Sequence, residues 1–547
     1  MRRLWLVMGL SLAACGGGSD PVVPPPPPPP PPAAVATVVV TAANASLQPP
    51  QTTTLTATLK DADGTVLTGR SITWSSSAEG VASVAAGGLV TAVSAGTAVM
   101  TATSEGKSGS VQITVSAVPV ATSVVVTPAT PTVISRATQA MTAAIRDQLG
   151  NPVSGTVTWQ SADPAVATVN TTSGLVTAVS PGTTTITAAS GALTGTTLLT
   201  VVPASLTAIV ETYRAQFGLP ALGAAIVTRT GKTIAIGVSG NRRWGTVTPV
   251  TLTDKWHLGS DTKAMTSFLA AMTVKAGLVS WTDLMVQRYP ELATIARPEF
   301  AGATLRTLAT MQSGITGNPN FTPVGTLAQQ RVAVDNWAVQ QAPAATPGTY
   351  YYSNVSYQIF AEIIGRAWAT GYEQAMRDKL WTPLGITTGG FGPTTGAGQS
   401  DQPVGHEPAG GGWTPCEACD NSWAAGSGKI HMSLPDWSRF IWEVLRADVG
   451  QSSLLSQSEA RLLTTGATTV NANLGYAYGW TSWNNQRTIQ HDGTNGRNRA
   501  RALLYLDAGV AYILTTNAGD SADDGGAPNA AFNALVTRLQ TFYQTGQ

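Results

Sequence analysis

Ser260, Asp261, Thr262 and Lys263 form a segment whose residue types and spacing suit nucleophilic catalysis. The residues over 264–276 that follow show helical periodicity. A serine and a lysine three positions apart near a helix start lie on one face of that helix. Burial disfavours the charged form of lysine, so a lysine held in a dry pocket can accept the serine proton. The helix N-terminus adds backbone N–H groups that can stabilise an oxyanion.

This spacing is not specific by itself, because Ser104 and Lys107 also match it. Specificity comes from two further segments that follow in order, 352–354 (Tyr-Ser-Asn) and 491–493 (His-Asp-Gly). A Gly-x-Ser-x-Gly segment, typical of the α/β-hydrolase nucleophile, does not occur.

The three segments in this order resemble the motifs of the serine hydrolases that include class C β-lactamases, D-Ala-D-Ala carboxypeptidases and family VIII carboxylesterases. The resemblance covers 203–547, and the segments at 312–315, 383–386 and 424–428 also match family landmarks. It implies an α+β domain of the β-lactamase/transpeptidase type, with a central antiparallel sheet flanked by helices.

The resemblance also implies roles for individual residues. Ser260 would be acylated, and Lys263 and Tyr352 would share the proton transfers. Asn354 would orient Lys263 and the substrate. The backbone N–H groups of Ser260 and Thr494 would form the oxyanion hole.

His491 occupies the third-motif position that is lysine in class C β-lactamases. A fixed cation for a β-lactam carboxylate is thereby replaced by an imidazole, which weakens the lactamase interpretation. An ordinary hydrogen-bonded histidine at a strand end is the alternative for this residue. Gly493, the last residue of the same motif, is expected to bind substrate.

Three other residues are candidates for substrate contact. Trp413 and Trp423 flank a short Cys-containing loop, and they are either lid residues over the cleft or part of an ordered surface loop. Arg497 alternates with Arg499 and Arg501, which strand geometry places on one face. That face is expected to be solvated, and anchoring of a substrate carboxylate is the less favoured alternative.

Composition excludes several classes of function. The net charge is +1 and charged residues make up 11% of the chain, which offers no basic face for nucleic acid. The four histidines are scattered and no His-Glu-x-x-His segment occurs, so we expect no catalytic metal and no cofactor.

The N-terminus has the features of an export signal. Residues 1–14 contain two arginines and an apolar stretch, and Cys15 ends a segment that resembles a bacterial lipobox. An ordinary secretory signal is the alternative. We expect an exported lipoprotein in the outer membrane, facing the periplasm or the cell surface. Cys416 and Cys419 are then expected to form a disulfide, with two free thiols as the alternative.

Residues 15–33 form a proline-rich linker, and a duplicated unit follows. The segment GLVTAVS occurs at 88–94 and again at 174–180. Short alternating runs rich in Thr and Val predict β-sandwiches, which resemble group 2 bacterial Ig-like domains over 34–117 and 120–202. They are expected to act as spacers, and binding to cell-wall or surface glycans is a less favoured alternative.

The predicted architecture is two all-β Ig-like sandwiches followed by the α+β hydrolase domain over 203–547. The predicted activity is hydrolysis of a small-molecule carboxylic ester or small amide through an acyl-enzyme on Ser260. A D-Ala-D-Ala carboxypeptidase or weak class C-like β-lactamase is the alternative with the same residues. A non-catalytic cell-surface binding protein is the alternative of another class.

Overall fold

The computed structural model describes residues 31–396, 399, 401–417, 423–483, 486–519 and 526–546. The predicted signal peptide, Cys15 and Cys419 lie outside these residues. The chain forms two compact units, Met1–Val120 and Ala121–Gln547. Within the described part of the chain, no helix is long and apolar enough to cross a membrane.

The first unit is a β-sandwich whose strands alternate buried and exposed residues, as the Thr/Val pattern predicts. One sheet has the order β1-β3-β7-β6 with β4 beside β3, and the other has the order β2-β9-β8-β5. Val40, Met100 and Ile113 lie in the shared core. The strands are β1 (Thr37–Ala42), β2 (Ser46–Leu47), β3 (Thr52–Lys60), β4 (Val66–Leu67), β5 (Thr73–Ser76), β6 (Ala82–Val84), β7 (Leu89–Ala92), β8 (Gly96–Ser104) and β9 (Lys107–Val115).

The second unit begins with a similar all-β region. Gly174 in the duplicated segment has a φ of +70°, and a Cβ there would lie 2.8 Å from the ring of Trp159, which is why glycine is needed. The strands are β10 (Ala121–Thr127), β11 (Thr132–Ile134), β12 (Thr138–Ala140), β13 (Thr142–Asp147), β14 (Thr158–Ser161), β15 (Ala167–Val169), β16 (Leu175–Ala178), β17 (Gly182–Ser190) and β18 (Leu193–Val202).

A nine-stranded sheet organises the rest of the second unit, with the order β19-β21-β20-β32-β31-β30-β29-β28-β27. Every pairing in it is antiparallel except β19 with β21. The strands are β19 (Ala204–Ser205), β20 (Ala221–Thr228), β21 (Lys232–Gly240), β22 (Lys255–His257), β23 (Gly390–Phe391), β24 (Gly405–Ala409), β25 (Gly412–Cys416), β26 (Ile430–Ser433), β27 (Thr468–Thr469), β28 (Leu474–Ala477), β29 (Trp480–Trp483), β30 (Thr488–Thr494), β31 (Arg499–Tyr505) and β32 (Val510–Thr516).

Helices cover both faces of this sheet, so neighbouring residues of a central strand enter different cores. Ile513 packs in the large core with the helices over Thr262–Lys275, Asn354–Ala367 and Leu434–Ala447. Leu514 packs in a smaller core with the helices over Thr207–Gln216 and Ala527–Thr545. The α+β fold with a central antiparallel sheet is thereby confirmed. The helices are α1 (Thr207–Gln216), α2 (Thr262–Lys275), α3 (Met285–Arg288), α4 (Leu305–Ala309), α5 (Leu327–Gln340), α6 (Asn354–Ala367), α7 (Tyr372–Ala375), α8 (Thr382–Leu384), α9 (Ala425–Gly428), α10 (Leu434–Ala447), α11 (Gln457–Thr464) and α12 (Ala527–Thr545).

Candidate active site

Ser260 lies in a tight turn, Gly259–Asp261, that leads directly into α2. Gly259 has a φ of +52°, and a Cβ there would overlap the amide nitrogen of Thr494. A Cβ on Gly493 would overlap the carbonyl oxygen of Leu258. The turn and β30 therefore meet backbone to backbone. This close approach brings the two predicted oxyanion-hole residues, Ser260 and Thr494, to one end of the cleft.

Lys263 is fully buried, and its Nζ has three polar neighbours. It lies 2.9 Å from Ser260 Oγ, 2.8 Å from Asn354 Oδ1 and 2.7 Å from the carbonyl oxygen of Ser427. The amide of Asn354 is oriented by its own Nδ2, which donates to Asn318 Oδ1 at 2.9 Å. The motif residues Ser260, Lys263 and Asn354 thus form one connected group.

These neighbours determine where the lone pair of a neutral Lys263 points. The Ser427 carbonyl and the Asn354 amide oxygen can only accept hydrogen bonds, so each requires an N–H of the amine. A neutral amine has two N–H groups, and its lone pair is left facing the Ser260 hydroxyl. Burial holds the pKa of the Lys263 amine well below its usual range. Lys263 is therefore arranged as a general base for Ser260.

Tyr352 and His491 complete the cluster around Lys263. Lys263 Nζ lies 4.7 Å from the centroid of the Tyr352 ring, and the Tyr352 and His491 ring centroids are 6.5 Å apart. His491 is 6% exposed, and burial lowers its pKa to about 3. The imidazole is therefore neutral at physiological pH and supplies no fixed positive charge at the third motif. The ring centroids of Tyr350 and Tyr476 are 5.8 Å apart, and a further tyrosine, Tyr357, has its ring centroid 5.7 Å from Lys263 Nζ.

The cleft beside Ser260 has a volume of about 230 Å³. Its walls are mostly polar, and they include the predicted residues Trp423 and Arg497. Arg497 also forms an ion pair with Glu407. Lys429, which is 5% exposed, is a second cationic side chain in the wall. The cleft therefore offers positive charge, but from elements other than the third motif.

Two predictions on substrate contact need correction. Trp413 lies outside this cleft, because its indole Nε1 donates to the Gly218 carbonyl at 2.8 Å and its ring packs against the smaller core. Gly493 contributes through close backbone approach and does not line the cleft wall.

The prediction that the arginine face of this strand is solvated is also wrong. Arg499 and Arg501 are only 4% and 7% exposed. Arg501 Nε donates to Asp492 Oδ1 at 2.7 Å, and its other nitrogens donate to Asn533 and Asn529 on α12. Sheet-to-helix packing covers these side chains, which strand alternation alone did not reveal.

Sequence reasoning missed three contributors to the site. Asn318 lies in a loop and had no motif to mark it, although it orients Asn354. Ser427 acts through its backbone carbonyl, and its only signal was the landmark segment at 424–428. Asp261, inside the first motif, is buried beside Gly493.

Cys416 is disulfide-bonded, whereas its predicted partner Cys419 lies outside the described residues. No group of histidine, cysteine, aspartate or glutamate side chains suited to a metal ion occurs in the part of the chain that the structure describes.

The fold and this site define a serine hydrolase of the β-lactamase type. The family model described as "Beta-lactamase" matches residues 206–535, and the chain therefore belongs to that family. The model "Bacterial Ig-like domain (group 2)" matches residues 34–115 and 120–201.

Two relatives are similar to parts of the chain. The D-alanyl-D-alanine-carboxypeptidase/endopeptidase AmpH of Escherichia coli is 25% identical over 242 residues, which is 43% of this chain and 61% of the relative. Ice-binding protein 1 of Shewanella frigidimarina is 38% identical over 170 residues, which is 30% of this chain and 19% of the relative. The chain thus spans less than two thirds of either relative.

A solved structure shares the fold of the hydrolase region. The D-amino acid amidase of Ochrobactrum anthropi, solved with L-phenylalanine amide, superposes with a TM-score of 0.51 at 18% identity. The match covers 62% of this chain and 98% of the amidase.

Proposed function

We propose that this chain hydrolyses small, polar carboxylic esters or amides through an acyl-enzyme on Ser260. The observation that carries the proposal is the environment of Lys263, whose two acceptors leave its lone pair directed at Ser260 Oγ. Lys263 takes the hydroxyl proton as Oγ bonds to the substrate carbonyl carbon. The resulting oxyanion is held by the amides of Ser260 and Thr494.

The leaving group must then receive a proton, and water must release the acyl group. Tyr352 lies beside Lys263 on one side and faces His491 on the other. We assign to Tyr352 the transfer of the Lys263 proton to the leaving alkoxide or amine. The same residues act in reverse when water attacks the acyl-enzyme, so that Ser260 recovers its proton. The reaction consumes one water and needs no cofactor.

A neutral His491 favours esters over β-lactams in this proposal. A β-lactam carboxylate needs a cation close to the third motif, and a histidine with a pKa of about 3 supplies none at physiological pH. Polar cleft walls favour short substrates over long acyl chains, because burying alkyl groups there would leave asparagine and threonine side chains without partners.

A second candidate, removal of a C-terminal residue from a D-alanyl peptide, is favoured by Arg497 and Lys429. Both cations line the cleft and are suited to a substrate carboxylate. AmpH, by its name, carries out such a reaction, and this similarity supports the candidate.

One panel of substrates separates the candidates. The full-length mature chain is assayed with p-nitrophenyl acetate, with a D-Ala-D-Ala peptide and with nitrocefin. Arg497→Gln should raise KM for the peptide while leaving KM for the neutral ester unchanged. Arg297→Gln is the matched control, since Arg297 is a partly exposed arginine paired with Glu299 outside the cleft. An equal effect of Arg497→Gln on both substrates would contradict carboxylate recognition.

We further propose export and lipid anchoring at Cys15, with the Ig-like domains as spacers between the membrane and the enzyme. The lipobox-like segment and the proline-rich linker support this arrangement. Glycan binding by the Ig-like domains would add a second attachment to the cell envelope. A purely binding function is the competing proposal, and it predicts no acylation of Ser260.

A further inference from the structure

Asp261 lies between the nucleophile and the base in sequence, yet the reaction described above does not use it. Its side chain is 2% exposed. It occupies the position before α2 where an aspartate commonly caps a helix, but it makes no such capping hydrogen bond. The carboxyl group is instead directed toward the third motif, since Oδ2 would lie 2.8 Å from a Cβ on Gly493.

The charged groups around Asp261 are engaged elsewhere. Arg501 donates to Asp492, Asn533 and Asn529, and Lys263 Nζ contacts Ser260, Asn354 and Ser427. Neither oxygen of Asp261 has a side-chain hydrogen-bond partner among the described residues. A buried carboxyl group with no paired cation is stable only in its neutral form.

Electrostatics agree with this geometry. Burial raises the pKa of Asp261 well above its usual range, and the charge of Asp492 acts in the same direction. Arg501, the Ala502 amide and Lys263 oppose this shift without reversing it. Burial and the missing side-chain partners therefore both favour the neutral form of Asp261 over the ionised form.

We propose that Asp261 is a positioning residue that acts as a neutral acid. Its carboxyl group lies beside the backbone contact between the nucleophile turn and Gly493, and so helps to set the separation of the Ser260 and Thr494 amides. The inference rests on the acyl-enzyme function proposed above. It adds a pH dependence to that reaction, because ionisation of the Asp261 side chain would weaken the oxyanion hole.

The consequence is a loss of activity at alkaline pH. An ionised Asp261 would place a negative charge beside the site where the oxyanion develops, and the two like charges repel. This repulsion lowers kcat, and it requires no change in substrate binding.

The test compares kcat and KM against pH for the wild type, Asp261→Asn and Asp335→Asn on p-nitrophenyl acetate. Asparagine has the shape of the neutral acid and cannot ionise. Asp335 is a matched control, because it is also fully buried, also has a raised pKa and lies on α5 outside the cleft. Asp261→Asn should keep kcat within about threefold of wild type near neutral pH and abolish its alkaline decline. Asp335→Asn should keep that decline.

Two results would overturn the inference alone, while leaving the proposed function intact. One is a loss of about 100-fold or more in kcat of a folded Asp261→Asn at neutral pH, which would show that an ionised carboxylate is needed. The other is an Asp261→Asn profile with the same alkaline decline as the wild type. If Asp261→Asn does not fold, the wild-type profile decides: a decline with unchanged circular dichroism supports the inference, and a constant kcat contradicts it. Absence of acylation in the wild type would overturn the proposed function and this inference together.

Discussion

Gly493 and Leu258 approach so closely that any side chain on Gly493 would overlap the Leu258 carbonyl oxygen. This contact joins the third motif to the turn that carries the nucleophile. The active site therefore depends on two backbone segments that pack without a side chain between them. In sequence, these segments are separated by more than half of the hydrolase domain.

Gly493→Ala should separate these segments and displace the Thr494 amide from the oxyanion hole. We expect a loss of about 100-fold in kcat, the range seen when one oxyanion donor is removed. Gly302→Ala is the matched control, because nothing lies within 4 Å of a Cβ there. Steady-state kinetics check the prediction, and equal kcat values for the two variants would contradict it.

The pH dependence of acylation should report the titration of Lys263. Only the neutral amine accepts the Ser260 proton, so the rate falls as the pH drops through the pKa of Lys263. Because burial lowers that pKa, the acid limb should lie well below the ordinary lysine range of about 10.4. Stopped-flow release of p-nitrophenol measures the acylation rate at each pH. A half-maximal rate in the ordinary lysine range would show that the pKa of Lys263 is not lowered.

Asn318→Ala should reduce activity, although the Asn318 side chain acts on the reacting atoms only through Asn354. Removing its side-chain oxygen frees the Asn354 amide to rotate, so that Lys263 loses a fixed acceptor. We expect a loss of about 10-fold in kcat, typical of a positioning hydrogen bond. Asn473→Ala, at an exposed loop position, serves as the control. A rate equal to that of the control would show that Asn354 holds its orientation unaided.

Sequence patterns predicted most of the fold, because amphipathic periodicity is a local property. The helical periodicity over 264–276 corresponds to α2 (Thr262–Lys275), and the alternating Thr/Val pattern corresponds to strands such as β3 (Thr52–Lys60). The reacting residues could also be predicted from the sequence, since their motifs place a nucleophile, a base and a partner amide in a fixed order.

Groups brought in by tertiary packing could not be predicted in this way. Asn318 reaches Asn354 from a loop, and Ser427 contributes only a backbone carbonyl that any residue carries. The Trp413 prediction failed for the complementary reason. Its position near the Cys416 segment suggested the cleft, but the β24–β25 hairpin places its ring against the smaller core.

Cys15→Ser tests the proposed anchor. The wild type should incorporate labelled palmitate and sediment with membranes, because the thiol is the only group in the lipobox-like segment that can be acylated in this way. The variant should show neither property. Equal labelling of both proteins would remove the lipoprotein proposal, while the hydrolase assignment would stand.

The central claim is that Ser260 forms the acyl-enzyme, and peptide mass spectrometry tests it most directly. The full-length mature chain is mixed with p-nitrophenyl acetate, quenched in acid and digested. We predict one added acetyl group on the peptide that contains Ser260 in the wild type, and none in Ser260→Ala. Turnover by Ser260→Ala at the wild-type rate, or an acetyl group on a different residue with Ser260 unmodified, would contradict the account.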